Sequence, residues 1–164
     1  MRVLITGCAG FIGFHVAKKF LEKNFYVYGL DNINDYYSIS LKKDRIKILK
    51  KKTKFNFRKI DISNRKKIKV FFKKNKFDAV IHLAAQAGIR YSLKKPYDYI
   101  DSNLIGFSNI LEETKNAKIK NFLFASSSSV YGEANKPPFD EKKSNTENPL
   151  QVYAATKKSN EILA

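Results

Sequence analysis

Short apolar runs alternate with longer polar stretches along the whole chain, and this alternation predicts the elements of the fold. The apolar runs predict five β-strands, at Val3 to Thr6, Tyr26 to Leu30, Phe55 to Ile60, Ala79 to Leu83 and Asn121 to Ser126. The longer stretches predict helices near Phe11 to Lys23, Leu41 to Lys51, Arg65 to Lys74 and Tyr97 to Lys115, and a fifth that begins near Val152. Strands that alternate with helices in this way are typical of βαβ units. The pattern therefore predicts an α/β fold with a doubly wound parallel sheet.

The segment from Gly132 to Leu150 interrupts this alternation. It contains Pro137, Pro138 and Pro149, and these residues predict one long loop. Because a loop of this length in a compact domain usually has a function, we expect this one to take part in the activity of the protein.

The charge of the chain is high, but its distribution argues against binding to a polyanion. The net charge is +17 over 164 residues, and lysines recur along the whole length rather than in one arm or one recognition helix. Solvated surfaces explain such a distribution, so we expect no nucleic acid partner. A basic nucleic-acid binder stays open as an alternative, and steep salt dependence of binding would be its signature.

Cysteine usage and hydropathy indicate the cellular compartment of the protein. The only cysteine, Cys8, cannot form an intrachain disulfide, and the N-terminus reaches a glycine before any signal-like apolar run develops. No apolar stretch approaches the ~20 residues of a membrane span. We therefore expect a cytoplasmic protein with no membrane partner. No set of His, Cys, Asp and Glu has metal-ligand spacing, so we also expect no metal.

A glycine-rich turn joins the first predicted strand to the first predicted helix. Gly7, Gly10 and Gly13 fall in the order G-x-x-G-x-x-G, which differs from the G-x-G-x-x-G fingerprint of dinucleotide sites. Such a turn lets backbone N–H groups and a helix N-terminus approach a pyrophosphate, which a side chain would obstruct. Its position predicts phosphate binding, and a tight turn that only packs the helix closely is the alternative.

An aspartate ends the second predicted strand. Asp31 lies 21 positions after Gly10, near the spacing at which an acidic residue meets an adenosine ribose. Its carboxylate could accept hydrogen bonds from both ribose hydroxyls and would repel a 2′-phosphate. No arginine follows it immediately, so the sequence favours NAD over NADP. The alternative is an aspartate that only ends a strand or starts a turn. Asp61-Ile62, after the third predicted strand, and Leu83-Ala84-Ala85, after the fourth, lie at carboxyl ends of strands, where open α/β sheets bind ligands.

A tyrosine and a lysine near the C-terminus predict proton-transfer chemistry. Tyr153 and Lys157 lie four positions apart in a stretch without a helix breaker, so on a helix their side chains face the same way. A phenol normally titrates near pH ~10, and a neighbouring ammonium favours the phenolate, which moves the pKa toward the range of a general base. An ordinary amphipathic helix face is the alternative.

Taken in order, these motifs resemble those of the extended short-chain dehydrogenase/reductase family. They are the glycine turn, Asp31, Asp61, the strand end His82-Leu83-Ala84-Ala85, the run Ser126-Ser127-Ser128-Ser129-Val130-Tyr131-Gly132, and Tyr153-x-x-x-Lys157. The resemblance covers Arg2 to Ala164 and implies a Rossmann-type fold. Within the family the chain looks most like the UDP-glucuronate 4-epimerases, on the stretches Asp31 to Tyr37, Gln86 to Ser92, the serine run and Tyr153 to Lys158.

The resemblance implies a role for each matching residue. Tyr153 would be the catalytic base, Lys157 would hold the nicotinamide ribose and lower the pKa of the tyrosine, and Ser127 would hydrogen-bond the reacting sugar hydroxyl. The residues implied at the NAD site are Gly7, Gly10, Phe11, Ile12, Gly13, Asp31, Asn32, Asp61, Ile62, Leu83, Ala84, Ala85, Asn103, Tyr153 and Lys157. The implied reaction oxidises C4 of a sugar nucleotide to a ketone and then reduces it on the other face.

The expected substrate is a UDP-sugar, with UDP-glucuronate favoured. Arg90 is the candidate for substrate choice, because a guanidinium fork suits bidentate binding of a hexuronate carboxylate. Ser127, Ser128 and Ser129 are the other substrate-binding candidates. A solvated surface arginine and a serine at the start of a polar loop are the alternatives.

Members of this family continue into a second half that supplies most of the sugar-nucleotide pocket. We therefore expect residues 1–164 to form an NAD-binding domain that is incomplete at its C-terminal end, without the substrate domain. The alternatives are a catalytically silent NAD-binding or interaction module, a UDP-glucose 4-epimerase and a sugar-nucleotide 4,6-dehydratase. A homodimer is expected through the helices near Tyr97 to Lys115 and after Val152, as in the family.

Overall fold

The computed structural model describes residues 1–132, 138–142 and 149–164. Five parallel strands form one sheet in the order β3-β2-β1-β4-β5. They are β1 (Arg2–Thr6), β2 (Tyr26–Asp31), β3 (Phe55–Lys59), β4 (Ala79–His82) and β5 (Asn121–Phe124). The predicted doubly wound parallel sheet is confirmed, and the strand ends differ from the prediction by one or two residues.

Helices connect these strands in the described part of the chain. They are α1 (Phe11–Glu22), α2 (Ile39–Lys50), α3 (Arg65–Lys74), α4 (Ile89–Lys94), α5 (Pro96–Tyr99), α6 (Phe107–Asn116) and α7 (Val152–Leu163). A π-helical segment, Ile100–Gly106, joins α5 to α6, and Ser128–Tyr131 forms a short 3₁₀ turn after β5.

Both faces of the central strand are buried, which explains its continuous apolar sequence. Val3 and Ile5 pack with residues of α1 and α2 in one core cluster. Leu4, between them in sequence, packs with residues of α3 and α6 in a second cluster. Because successive side chains of a strand point to opposite faces, the two clusters lie on opposite sides of the sheet. The edge strands β3 and β5 are only partly buried.

The order of strands reverses at β1, and this reversal creates the place for a site. The chain passes from β1 through β2 to β3 at one edge, and then returns to β4 on the other side of β1. Thr6, the last residue of β1, pairs with Leu30 of β2 and with His82 of β4, so the three strand ends are level. Such a switch point leaves a crevice at the carboxyl ends of the strands, where open α/β sheets bind ligands.

Two helical regions differ from the prediction. The predicted helix from Tyr97 to Lys115 is divided into α5, the π-helical segment and α6, and α4 was not predicted. With six residues, α4 is too short for hydrophobic periodicity to reveal it. In the π-helical segment, a Cβ on Gly106 would lie 2.5 Å from Cγ1 of Ile62, so the glycine lets this helix lie against the loop after β3. Much of the predicted loop from Gly132 to Leu150 lies outside the described residues.

Candidate active site

A groove opens at the carboxyl ends of β1, β2 and β4, at the switch point of the sheet. Its lining consists of Gly7, Gly10, Asp31, Asn32, Asn34, Tyr36, Tyr37, Lys42, Ile60, Ile62, Leu83, Ala84, Ala85, Gln86 and Ser102. The predicted cofactor residues in this lining are Gly7, Gly10, Asp31, Asn32, Ile62, Leu83, Ala84 and Ala85. The structure therefore brings the glycine turn and three predicted strand ends together around one groove.

The glycine turn lies where side chains could not fit. Gly7 has φ of +68°, and a Cβ there would lie 2.8 Å from the amide nitrogen of Ala84. A Cβ on Gly13 would lie 2.1 Å from the carbonyl oxygen of Gly7, so helix α1 packs directly on the turn. Gly10 caps α1 without a side-chain hydrogen bond, which leaves the first-turn N–H groups for an anion. This cradle fits a pyrophosphate.

Phe11 and Ile12 follow the turn, and their side chains point away from the protein. They are 67% and 59% exposed and do not line the groove. In this structure they could bind an anion only through their backbone N–H groups, which lie in the first turn of α1.

Asp31 is held from two sides. One carboxylate oxygen accepts a hydrogen bond from the N–H of Ala9 in the glycine turn at 3.0 Å. The other accepts from the N–H of Ile33 at 2.8 Å. A carboxylate has about four acceptor positions, so each oxygen can still accept a hydroxyl. The geometry fits a diol such as the ribose of a nucleotide.

The loop after β2 is tied to the next two strand ends. Asn32 donates from its amide to Asp61 at 2.9 Å, and Asn34 donates to Gln86 at 3.4 Å. Burial raises the pKa of Asp61, but the hydrogen bonds from Asn32 and Ser63 outweigh it, so the pKa is below its ordinary value. Asp61 is thus an anion that orders the loop, and it lines a polar cleft next to the groove.

Sequence reasoning missed several residues at this end of the groove. Tyr36 and Tyr37 lie in the loop directly after Asp31, so their position in the chain was an available signal. Lys42 and Arg45 come from helix α2, and no motif pointed to them. Arg45 donates to the carbonyl of Ala9 at 3.1 Å and to the hydroxyl of Tyr37 at 3.0 Å. We call the glycine turn, Asp31, the loop 32–34 and these α2 cations the Asp31 end of the site.

A buried hydroxyl orders the strand end on the other side of Gly7. The Thr6 hydroxyl oxygen accepts hydrogen bonds from the N–H groups of Leu83 and Ala84, both at 3.1 Å. Its single proton is then left to donate to Nδ1 of His82, 2.9 Å away. Burial, with a smaller effect from Lys157, lowers the pKa of His82 to about 3. The imidazole is therefore neutral, and it is a buried, hydrogen-bonded part of the strand end.

Tyr153 and Lys157 lie on the first turns of α7, as the sequence predicted. Lys157 is 5% exposed and donates from its ammonium to the carbonyl of Ala125 at 2.8 Å. Burial lowers its pKa to about 8. The ring of Tyr153 packs edge to face on Tyr99, with ring centroids 6.1 Å apart. We call Tyr153, Lys157 and Ser127 the Tyr153 end; none of the three lines the groove.

The hydrogen bonds of Asn103 connect the Asp31 end of the site to the Tyr153 end. It accepts from the N–H of Gln86 at 2.8 Å and donates to the Gln86 carbonyl at 3.0 Å. It also donates to the hydroxyl of Thr156 at 3.1 Å, and Thr156 donates to the carbonyl of Tyr153. Asn103 is 1% exposed and does not line the groove, so in this structure it is a positioning residue rather than part of the groove surface.

The serine run turns the chain after β5. Ser127 accepts hydrogen bonds from the N–H of Ser129 at 3.2 Å and from its hydroxyl at 2.9 Å. Because both of these bonds use lone pairs, the hydroxyl proton of Ser127 stays available for donation. Ser128 is exposed, and Ser126 donates to Glu161 at 2.5 Å. The 3₁₀ turn contacts α7.

Arg90 lies in the first turn of α4. Its side chain is exposed, and it does not line the groove. The sequence prediction for this residue therefore stays a prediction.

Within the described residues, no group of three or more His, Cys, Asp and Glu side chains could hold a metal ion. None of the helices in the same ranges is long and apolar enough to cross a membrane.

Comparison with known proteins gives consistent matches over the whole chain. The family model described as GDP-mannose 4,6 dehydratase matches residues 4–164. The chain is 51% identical to Protein CapI of Staphylococcus aureus, covering 100% of the chain and 48% of that protein. It is 45% identical to UDP-glucuronate 4-epimerase of Thermodesulfobacterium geofontis, covering 98% of the chain and 49% of that protein.

Solved structures match in the same way. The crystal structure of UDP-glucuronic acid 4-epimerase from Bacillus cereus in complex with UDP-glucuronic acid and NAD superposes with a TM-score of 0.88 at 34% identity. The match covers 99% of this chain and 51% of that one. The chain spans about half the length of each of these relatives.

Proposed function

This chain belongs to the family described as GDP-mannose 4,6 dehydratase, and from that membership we propose that it is the NAD-binding and proton-transferring part of a UDP-glucuronate 4-epimerase. The resemblance to extended short-chain dehydrogenases/reductases is confirmed by this membership. One observation carries the proposal: a groove that fits a dinucleotide at the Asp31 end is joined through Asn103 to a tyrosine–lysine pair.

The Asp31 end would hold the adenosine and the pyrophosphate of NAD. The N–H groups at the start of α1 would bind the pyrophosphate, and Asp31 would accept hydrogen bonds from the ribose hydroxyls. Ile62, Leu83 and Ala84 offer apolar contacts along the groove. When bound, NAD+ supplies reversible two-electron oxidation at C4 of the sugar. The Bacillus cereus relative was crystallised with NAD, which supports this assignment.

The Tyr153 end would move the proton. Tyr153 would take the proton of the C4 hydroxyl and return it after the sugar has turned over. Lys157 carries a positive charge below its pKa of about 8, and its ammonium would hold the nicotinamide ribose. Ser127, whose hydroxyl proton is available, would donate to the C4 oxygen and orient it. Because oxidation is followed by reduction, epimerisation has no net redox change.

The sugar nucleotide is proposed as UDP-glucuronate. The names of the Thermodesulfobacterium geofontis and Bacillus cereus relatives support it. Arg90, exposed on α4, would bind the hexuronate carboxylate through its guanidinium fork, with Ser128 and Ser129 near the sugar. Arg90 has no hydrogen-bond or ion-pair partner within the described residues, so binding an anion would break no existing contact.

Assembly as a homodimer is part of the same proposal. Tyr97, Ile105 and Ile162 lie on or beside the helices expected at the interface, and they are 78%, 45% and 76% exposed. Burial of such side chains is the usual driving force of a stable dimer. Light scattering coupled to size exclusion would measure the assembly, and a monomer at high concentration would contradict it. The expected cytoplasmic location stays a prediction.

The function is best tested by joining residues 1–164 to the second half of the Thermodesulfobacterium geofontis epimerase. We expect the hybrid protein to convert UDP-glucuronate to UDP-galacturonate, measured by proton NMR. Replacement Tyr153→Phe should lower the rate by roughly 100-fold to 10,000-fold, because the general base is lost.

Three results would redirect the proposal. A hybrid that binds NAD+ and converts only UDP-glucose would favour the UDP-glucose 4-epimerase alternative. Saturable NAD+ binding without turnover of any UDP-sugar would favour the silent module. A chain that binds no NAD+ would contradict the proposal altogether.

A further inference from the structure

A buried tyrosine, Tyr99, connects the loop after β4 to the first turn of α7. Tyr99 is fully buried, and its hydroxyl shares its single proton between the carbonyls of Ala87 and Gly88, each 2.6 Å from the hydroxyl oxygen. On the other side, its ring packs on the ring of Tyr153 at an interplanar angle of 79°. Tyr99 therefore contacts both the loop beside the groove and the tyrosine proposed as the general base.

The loop that Tyr99 holds continues the wall of the groove. Residues 83–86, directly before it, line the groove. Gly88 has φ of +95°, a conformation that glycine adopts without strain, and helix α4 begins at the next residue. The hydroxyl of Tyr99 is the donor that binds the two carbonyls at this turn. A hydrogen-bonded connection thus runs from the groove wall to the Tyr99 ring.

Asn103, four residues after Tyr99, makes a parallel connection through the backbone. It binds the N–H and the carbonyl of Gln86 and donates to the hydroxyl of Thr156. Thr156 in turn donates to the carbonyl of Tyr153. Asn103 therefore positions the backbone of the first turn of α7, whereas the ring of Tyr99 contacts the Tyr153 side chain itself.

The two phenols of this pair differ in how their hydroxyls are held. Burial, with a further effect from the neighbouring phenol of Tyr36, raises the pKa of Tyr99 above its ordinary value. Its hydroxyl therefore stays protonated and continues to donate to the loop. The hydroxyl of Tyr153 has no hydrogen-bond partner within the described residues. Because no described group binds that hydroxyl, the orientation of the Tyr153 side chain depends on the packing of its ring.

We propose that Tyr99 is the positioning residue of the general base: its hydroxyl attaches it to the groove wall, and its ring orients the ring of Tyr153. The inference rests on the proposed function and deepens it. Tyr99 does not line the groove, so its effect on the reaction passes through Tyr153. A displacement of about 1 Å at a reacting group can lower a rate by about 100-fold, so loss of this ring contact should lower kcat.

The kinetic test uses the hybrid protein described above and separates the ring of Tyr99 from its hydroxyl. We expect Tyr99→Leu to lower kcat by about 10-fold to 100-fold and to change KM for UDP-glucuronate by less than about threefold. Tyr99→Phe keeps the ring and should retain kcat within about threefold. Tyr28→Leu is the matched control, because Tyr28 makes a similar edge-to-face contact with Phe77 outside the groove, with ring centroids 5.2 Å apart.

A second test observes the ring of Tyr153 directly in the 164-residue chain, without cofactor or substrate. 3-Fluorotyrosine placed at position 153 alone reports, by ¹⁹F relaxation dispersion, whether the ring exchanges between orientations. We expect no exchange in the parent or in Tyr99→Phe, and exchange in Tyr99→Leu. If circular dichroism shows that Tyr99→Leu does not fold, Tyr99→Met, with a longer and flexible apolar side chain, is measured in both tests with the same expectation.

The outcomes separate the inference from the function on which it rests. Parent-like kcat in the folded Tyr99→Leu hybrid would overturn the inference and leave the proposed function standing. An equal loss of kcat in Tyr28→Leu would also overturn it, because the loss would then reflect general destabilisation. A parent hybrid that turns over no UDP-sugar would contradict the proposed function instead. In that case, a Tyr153 ring that stays equally ordered in Tyr99→Leu and in the parent would overturn the inference as well.

Discussion

The Asp31 end and the Tyr153 end of the site are built in different ways. At the Asp31 end, partners from several elements meet: the glycine turn binds Asp31, the loop after β3 holds Asn32 through Asp61, and α2 holds Asn34 through Lys42. At the Tyr153 end, Lys157 and Glu161 anchor α7 to Ala125 and Ser126 after β5, and Thr156 bonds Asn103. The Tyr153 ring packs on Tyr99, but its hydroxyl has no hydrogen-bond partner within the described residues. The difference teaches that this chain preorganises nucleotide binding more completely than it preorganises catalysis.

The largest effect should come from filling the glycine turn. Gly13→Ala would place a Cβ 2.1 Å from the carbonyl oxygen of Gly7, which is backbone and cannot rotate away. We expect the free energy of unfolding to fall by about 4 kcal/mol and NAD+ binding to be lost. Urea denaturation followed by circular dichroism measures the first effect. Lys18→Ala, on the exposed face of the same helix, is the control; equal stability of the two variants would contradict this reading of the turn.

Lys157 should make the free energy of unfolding depend on pH, and the change should be slightly smaller than that caused by Gly13→Ala. Its pKa falls from an ordinary 10.5 to about 8 because it is buried, so the folded chain releases its proton before the unfolded chain does. The burial of Lys157 therefore lowers the free energy of unfolding below pH 8. This loss is recovered as the pH rises from 8 to 10.5, because over that range only the unfolded chain keeps the proton. Relative to Lys157→Met, the parent should gain about 3 kcal/mol over that range.

The measurement is the free energy of unfolding at a series of pH values. Lys157→Met should be the more stable chain at pH 7, because it lacks a buried ammonium. Lys158→Met, at the neighbouring position, should show no comparable pH dependence. A difference between parent and Lys157→Met that stays constant with pH would show that Lys157 is not desolvated.

Asn103→Ala should remove the hydrogen bonds that connect the two ends of the site and should lower the stability of the fold by a moderate amount. It removes three hydrogen bonds and leaves the buried N–H of Gln86 without an acceptor. We expect a loss of about 2 kcal/mol in the free energy of unfolding and weaker NAD+ binding. Asn75→Ala, which removes one bond to the carbonyl of Phe71 at a helix end, is the comparison. Should the two variants lose the same stability, Asn103 would not have the bridging role.

These elements differ in how far the sequence could predict them. The glycine turn and Asp31 were predictable because strand ends and turns are determined by local pattern. Lys42 was not, because its place in the groove depends on how α2 packs against the loop after β2. Asn103 was expected beside the cofactor by resemblance, but its bonds to Gln86 depend on a π-helical segment that no local pattern encodes. Helix α4 was not predictable for a different reason, because six residues are too few to show hydrophobic periodicity.

The smallest effect on stability should come from Arg90. Its side chain is exposed, so Arg90→Ala should change the free energy of unfolding by less than about 0.5 kcal/mol. In the hybrid protein described above, the substitution should weaken the binding of UDP-glucuronate more than that of UDP-glucose, because only UDP-glucuronate has a carboxylate. Equal loss for both substrates, measured as the change in KM, would assign Arg90 to another role.

The difference between the two ends is tested most directly by measuring how tightly each half of the dinucleotide binds. Titration calorimetry on the 164-residue chain would compare NAD+, ADP-ribose and nicotinamide mononucleotide. If the Asp31 end supplies the binding energy, ADP-ribose should bind within about threefold of NAD+, and the mononucleotide should bind at least about 100-fold more weakly. Binding of the mononucleotide as tight as that of ADP-ribose would contradict the account.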